Sequence, residues 1–83
     1  MSSWNWTHDA VLAGTNVTVK VDDAPCHPIR VRLLINGSEV DSGSIADAPG
    51  SVVLKVPSGT QGSSYEIVVA CDSQSDSQGG TVG

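Results

Sequence analysis

Phenylalanine is absent from this 83-residue chain, and Trp4, Trp6 and Tyr65 are its only aromatic residues. Basic residues are scarce as well: four Lys and Arg stand against nine Asp and Glu, for a formal net charge of -5. That balance argues against a nucleic-acid-binding surface, because phosphate contacts need clustered Lys and Arg. It argues equally against a polybasic membrane patch. No apolar run approaches the roughly 20 residues needed to span a bilayer as a helix. Charged residues make up only 16% of the chain, too few for a helical bundle or a coiled coil.

What remains is a chain rich in Val (12), Ser (12) and Gly (9), long enough for one domain over residues 1–83. A domain this small buries a limited share of its surface and often needs a staple. Cys26 and Cys71 are available. Their separation rules out a CxxC metal or redox motif. Joined, they would close a loop worth about 4 kcal/mol in chain entropy, a large share of the roughly 5–15 kcal/mol of a typical domain. The alternative is a pair of buried free thiols in a reducing compartment.

Three glycosylation sequons occur, at Asn5-Trp6-Thr7, Asn16-Val17-Thr18 and Asn36-Gly37-Ser38. Each would accept a glycan in a eukaryotic secreted protein, although a Ser/Thr-rich chain also produces the pattern by chance. Together with the two spaced cysteines they point to an extracellular or cell-surface setting. Met1–Trp6 has neither the basic stretch nor the apolar core of a signal peptide. Either the protein is cytosolic or this is a mature domain behind a start methionine; the polar tail favours the second reading.

Helical periodicity is nowhere sustained, whereas strict alternation recurs. Asn16–Val21 puts Val17, Val19 and Val21 on one face. Ile29–Ile35 does the same with Ile29, Val31, Leu33 and Ile35, leaving Arg30, Arg32 and Leu34 outward. Val52, Leu54 and Val56 share a face in Ser51–Val56, as do Tyr65, Ile67, Val69 and Cys71 in Tyr65–Cys71, where Glu66, Val68 and Ala70 point out. Such β-branched runs suit a pleated sheet with one buried side.

Turn signals separate these runs. Ala24-Pro25 and His27-Pro28 interrupt the chain, and Asn36-Gly37 reads as a type I′ hairpin turn leading into a short strand near Glu39-Val40. Asp41-Ser42-Gly43 reads as a further turn, Ala48-Pro49-Gly50 introduces the next strand and Pro57-Ser58-Gly59 ends it. Weaker strands are expected at Trp4–Trp6, at Ser44-Ile45 and near Thr81-Val82. Residues 72–80, rich in Ser, Gln, Asp and Gly, read as a polar loop or the start of a linker. About seven short strands with closely spaced turns form the pattern of a two-sheet, all-β sandwich.

In an immunoglobulin-like order, Asn16–Val21, Ile29–Ile35, Ser51–Val56 and Tyr65–Cys71 take the B, C, E and F positions. C and F are then antiparallel neighbours. The start of one lies beside the end of the other, where Cys26 and Cys71 fall, so a bond between them is sterically reasonable. The same register sets Arg32 opposite Glu66 on the outer face.

Trp6, Ala13-Gly14-Thr15-Asn16-Val17-Thr18-Val19, Ile29-x-Val31-x-Leu33-Leu34-x-Asn36-Gly37, Gly50-Ser51-Val52-x-Leu54-x-Val56-Pro57-Ser58-Gly59 and Gly62-Ser63-Ser64-Tyr65-Glu66-Ile67-x-Val69 follow one another in this order. Over roughly Trp6 to Val69 the chain resembles an immunoglobulin- or fibronectin-III-like module. More narrowly, it is similar to the domain of Ser/Thr-rich, GPI-anchored fungal cell-wall proteins. The resemblance implies a secreted or surface module and brings no catalytic residue. The chain departs from antibody-type domains: the C strand lacks Trp, and the cysteines are not at the B and F positions.

No catalytic set is evident, and no enzyme is expected. His8 and His27 lie near Asp9 and near Asp22 and Asp23, but no Ser sits in a G-x-S-x-G elbow. Asp22 and Asp23 (with His27 in the same loop), Asp72 and Asp76 are expected at one end of the sandwich, where hard oxygen ligands would suit Ca²⁺. The alternative is a solvated acidic rim that keeps the domain soluble. Exposed, Trp4 and Trp6 would form a platform for sugar rings or an apolar partner. Buried, Trp6 would plug a core that has no Phe, and that is our reading of Trp6 and of Tyr65.

The outer C–F face, with Leu34, Val68 and Ala70 among Arg30, Arg32 and Glu66, suits protein contact. A sheet edge or face could also pair with another copy. The resulting expectation is a non-catalytic secreted or cell-surface interaction module whose partner is a protein or a cell-wall polysaccharide. Alternatives are a carbohydrate-binding module, an accessory domain of a larger extracellular enzyme, and a small secreted effector that binds a host protein.

Overall fold

Alternating Val, Ile and Leu can bury one side of an extended chain only if a second layer covers it. The computed structural model describes residues 3–83; Met1 and Ser2, on which the start-methionine reading falls, lie outside the described residues. Seven strands form: β1 (Asn5–His8), β2 (Asn16–Asp23), β3 (Ile29–Ile35), β4 (Ser38–Ile45), β5 (Gly50–Lys55), β6 (Ser64–Cys71) and β7 (Gln74–Thr81). They make two antiparallel sheets, β1-β2-β5 and β4-β3-β6-β7. The fold is an all-β two-sheet sandwich, compatible with an immunoglobulin- or fibronectin-III-like arrangement. The four strongly alternating runs occupy β2, β3, β5 and β6, as the sequence predicts.

The inward residues are buried in the expected parity. Val17, Val19 and Val21 of β2, with Leu54 of β5 beside Val17, face Ile29, Val31 and Leu33 of β3 and Ile67 and Val69 of β6. Each contributes on the order of 1.5–3 kcal/mol by leaving water. Trp6, Val11, Ile35, Ile45, Val56 and Val82 complete the cluster. Among the described residues no polar or charged residue is buried, and no buried side-chain nitrogen or oxygen lacks a hydrogen-bond partner.

Two local expectations need correction, and both concern edge strands. Glu39-Val40, the Asp41–Gly43 turn and Ser44-Ile45 merge into one strand, β4. Asn36 and Gly37, at φ 52° and 84°, form the tight turn before it, which fits a type I′ hairpin. The chain does not turn again at Asp41; it bulges. Leu33 pairs with Asp41 and Leu34 with Glu39, so Val40 is an extra residue with no partner. Likewise residues 72–80 are neither loop nor linker. Asp72 and Ser73 are a two-residue turn, with Asp72 at φ 49°, and the rest pairs with β6 as β7.

The physical reason is shared. Edge strands of a sandwich need not bury apolar side chains along their whole length, because their inner positions look toward the lateral opening between the sheets. By register Asp76 and Gln78 lie on the inner side of β7, opposite Val69 and Ile67. There the Trp6 indole Nε1–H donates to Asp76 Oδ2 (2.9 Å), and Gln78 Nε2 donates to the Trp6 carbonyl (3.2 Å). On the other side the bulge sets Asp41 inward. Its Oδ2 accepts the Lys55 N–H of β5 at 2.7 Å, and its Oδ1 accepts the Ser42 N–H at 2.9 Å. One carboxylate thus bridges each lateral opening through charge-assisted hydrogen bonds, and on β5 Asp41 occupies a backbone N–H that an open edge would offer to another chain. Gly43 lets β4 approach β5 here: a Cβ would stand 2.5 Å from Val52 Cγ2.

The loops at one end of the sandwich are tied covalently. Cys26, between β2 and β3, is bonded to Cys71 at the end of β6, with 5.7 Å between Cα atoms; no cysteine among the described residues is free. A disulfide in so small a domain is consistent with an extracellular protein. Replacing both cysteines by Ala should lower the unfolding free energy by about 4 kcal/mol, read as a lower urea midpoint than that of the oxidised protein. An unchanged midpoint would contradict a stabilising role for the bond.

Candidate functional site

The outer face of the four-stranded sheet is where the sequence's unusual surface residues converge. Strand parity sends Arg30, Arg32 and Leu34 outward from β3, because Ile29, Val31, Leu33 and Ile35 are buried. Pairing then builds three rows across the sheet. The first is Ser44–Arg30–Ala70–Ser75, the second Ser42–Arg32–Val68–Ser77, and the third Glu39–Leu34–Glu66–Gly79.

The register differs from the sequence reading. Arg32 stands opposite Val68, not Glu66, and its ionic neighbour is Glu39, with Nη1 3.8 Å from Oε1. Glu39 was not singled out from sequence. Its signal was the Asn36-Gly37 turn, which pairs Ile35 with Ser38 and so brings Glu39 beside Leu34. Both side chains of the pair are about half exposed (49% and 46%), so it stabilises the fold by less than about 1 kcal/mol.

The arginines rise from small neighbours. On the β4 side Arg30, Arg32, Glu39, Ser42, Gly43 and Ser44 line an open depression of about 230 Å³. On the β6 side Arg30, Arg32, Glu39 and Ala70 line another of about 300 Å³. The result is a pair of cationic ridges over shallow floors, with Leu34 and Val68 half-buried beside them.

The other candidates lie elsewhere. Trp6 is 5% exposed and Trp4 is partly buried against the core, so the two do not form an open aromatic platform. Tyr65 also packs on the core, as read from sequence, with the His8 ring edge-on to it at 5.8 Å. The four candidate calcium carboxylates have other neighbours. Asp22 lies 3.7 Å from Lys20 Nζ, Asp23 Oδ1 accepts the Ala24 N–H, and Asp76 accepts the Trp6 indole. Asp72 sits in the exposed turn before β7. Among the described residues no group of three His, Cys, Asp or Glu side chains could hold a metal ion. The sequon residues Asn5, Asn16 and Asn36 are all exposed. Asn5 and Asn16 belong to β1 and β2, on the opposite sheet, and Asn36 to the β3–β4 turn.

No protein-family model, curated protein or solved structure matches the chain. Arg30→Ala and Arg32→Ala should each change the unfolding free energy by less than about 1 kcal/mol in urea titrations. A loss well beyond that would make these arginines part of the fold rather than of a surface site.

Proposed function

We propose that the chain is a non-catalytic interaction module of an extracellular or cell-surface protein, of the cell-wall or adhesion type. In this reading it presents the outer face of β4-β3-β6-β7 to a protein partner. The observation that carries it is the composition of the four-stranded outer face. The four-stranded face combines both arginines with Leu34, Val68 and Ala70 and carries both depressions. Arginine beside partly apolar surface is the composition of a protein-contact patch. The three-stranded sheet carries two of the three sequons, Asn5 and Asn16, so glycans there would leave the four-stranded face bare.

A protein partner fits better than a polysaccharide. Sugar rings are commonly held on exposed aromatic faces, and here Trp6 is buried while Trp4 and Tyr65 are partly buried against the core. The disulfide and the exposed sequons support the extracellular setting.

The test places a photo-crosslinking amino acid at Ser42, on the proposed face, or at Val53, on β5 of the opposite sheet, in protein displayed on intact cells. Adducts to proteins other than the chain itself should form from Ser42 and not from Val53. Adducts from Val53 alone, or none from Ser42, would overturn the assignment.

A further inference from the structure

The charges on this face are sorted along the strands. The first two rows carry Arg30 and Arg32, and the third carries Glu39 and Glu66 on either side of Leu34. Arg32 is engaged by Glu39 at 3.8 Å. Arg30 and Glu66 have no ionic partner among the described residues. They do not meet within one domain. Arg30 pairs with Ala70, four residues along β6 from Glu66, a separation of about 14 Å at ~3.4 Å per residue. The face therefore has an unpaired positive end and an unpaired negative end, with Leu34, Val68 and Ala70 between and beside them.

We propose that this face binds a second copy of the same chain, in an isologous pair related by a two-fold axis lying in the interface and running across the strands. Such an axis reverses the rows. Arg30 of each copy comes over Leu34 of the other, between its Glu39 and its Glu66, and the same contact repeats in the opposite direction; the middle row meets itself, Arg32 against Arg32, each guanidinium beside its own Glu39. The aliphatic stem of Arg30 covers Leu34 while its guanidinium meets the carboxylate. The inference rests on the reading of this face as a protein-contact surface and names its partner.

Edge-to-edge pairing is the competing route to self-association, and the lacing opposes it on the edges of the three-stranded sheet. Asp41 occupies the outward N–H of Lys55 on β5, and Asp76 and Gln78 bind Trp6 across the β1–β7 side. Face-to-face contact needs no free backbone group.

The area sets the strength. Seven residues of β3 at about 3.4 Å and four strands at about 4.8 Å give roughly 450 Å² per copy. That is little more than half of the ~800 Å² per partner of a standard stable interface. The pair is a weak, reversible dimer in solution. Copies tethered side by side on a surface experience millimolar effective concentrations, at which weak pairing suffices.

The experiment is a sedimentation-equilibrium series from micromolar to millimolar protein. It uses the oxidised wild-type chain, Arg30→Glu, Glu66→Arg, their equimolar mixture, and Lys55→Glu on the opposite sheet, with circular dichroism confirming that each variant is folded. Wild type should associate with rising concentration and less so in high salt. Each single reversal should weaken association at least about tenfold, since it sets like charges face to face. The mixture should regain it. In a mixed pair the carboxylate introduced at position 30 of one chain meets the guanidinium introduced at position 66 of the other, and the native Glu66 and Arg30 meet at the second contact. Lys55→Glu should behave as wild type. A wild-type chain that stays monomeric throughout overturns the proposal, as does a mixture that fails to recover or a reversal without effect. Failure here leaves the face's role with other proteins to the Ser42 crosslinks, which are scored on partners of different sequence.

Discussion

The absence of large aromatic side chains from the centre of this domain constrains everything around it. Fifteen buried residues make the core cluster, and all but Trp6 are Val, Leu or Ile. Short aliphatic side chains interdigitate only when the sheets lie close together. Close sheets bring their lateral edges within side-chain reach of each other. Asp41 can then accept a backbone N–H from β5, and Asp76 can meet the indole of Trp6. The one large buried side chain sits at that margin, where its polar N–H finds a partner, and the aliphatic layer is left uninterrupted.

This arrangement explains which parts of the fold were legible in the sequence. Where a strand lies in the middle of its sheet, as β2, β3 and β6 do, parity maps directly onto burial, and the alternation of Val17-Val19-Val21 or Ile29-Val31-Leu33 announces it. The position of Cys26 and Cys71 followed from the antiparallel neighbours β3 and β6. The edge strands β4 and β7 were not legible in the same way. Their inner positions hold Asp41 and Gly43, or Asp76 and Gln78, and read as turn and linker because the partners of those side chains are far away in sequence. A bulge at Val40 cannot be inferred from alternation, since it shifts parity by one residue. The surface register shared this difficulty: Arg32 faces Val68, two residues from the Glu66 expected there.

The candidate site was legible as a set of residues but not as an arrangement. Arg30, Arg32, Leu34, Glu66, Val68 and Ala70 all point outward as their parity requires. What parity alone does not reveal is the sorting of charge along the face, which depends on the β3–β4 register and brings in Glu39. The aromatic and acidic candidates fared differently, because their chemistry is used inside the fold. Trp6 is a core and edge residue, and Asp76 is its acceptor. The bridged margins leave the outer faces of the two sheets, and both arginines stand on the four-stranded one.

Hydrogen exchange observed by NMR tests the closure of the two margins most directly. The Lys55 amide points away from its own sheet and would exchange freely on an open edge; the Trp6 indole proton lies at the rim of the sandwich. If Asp41 and Asp76 close the openings, both protons exchange slowly, with protection approaching that of the central β3 amides. Rapid exchange of both protons in protein whose β3 amides remain protected would show open margins and contradict the account.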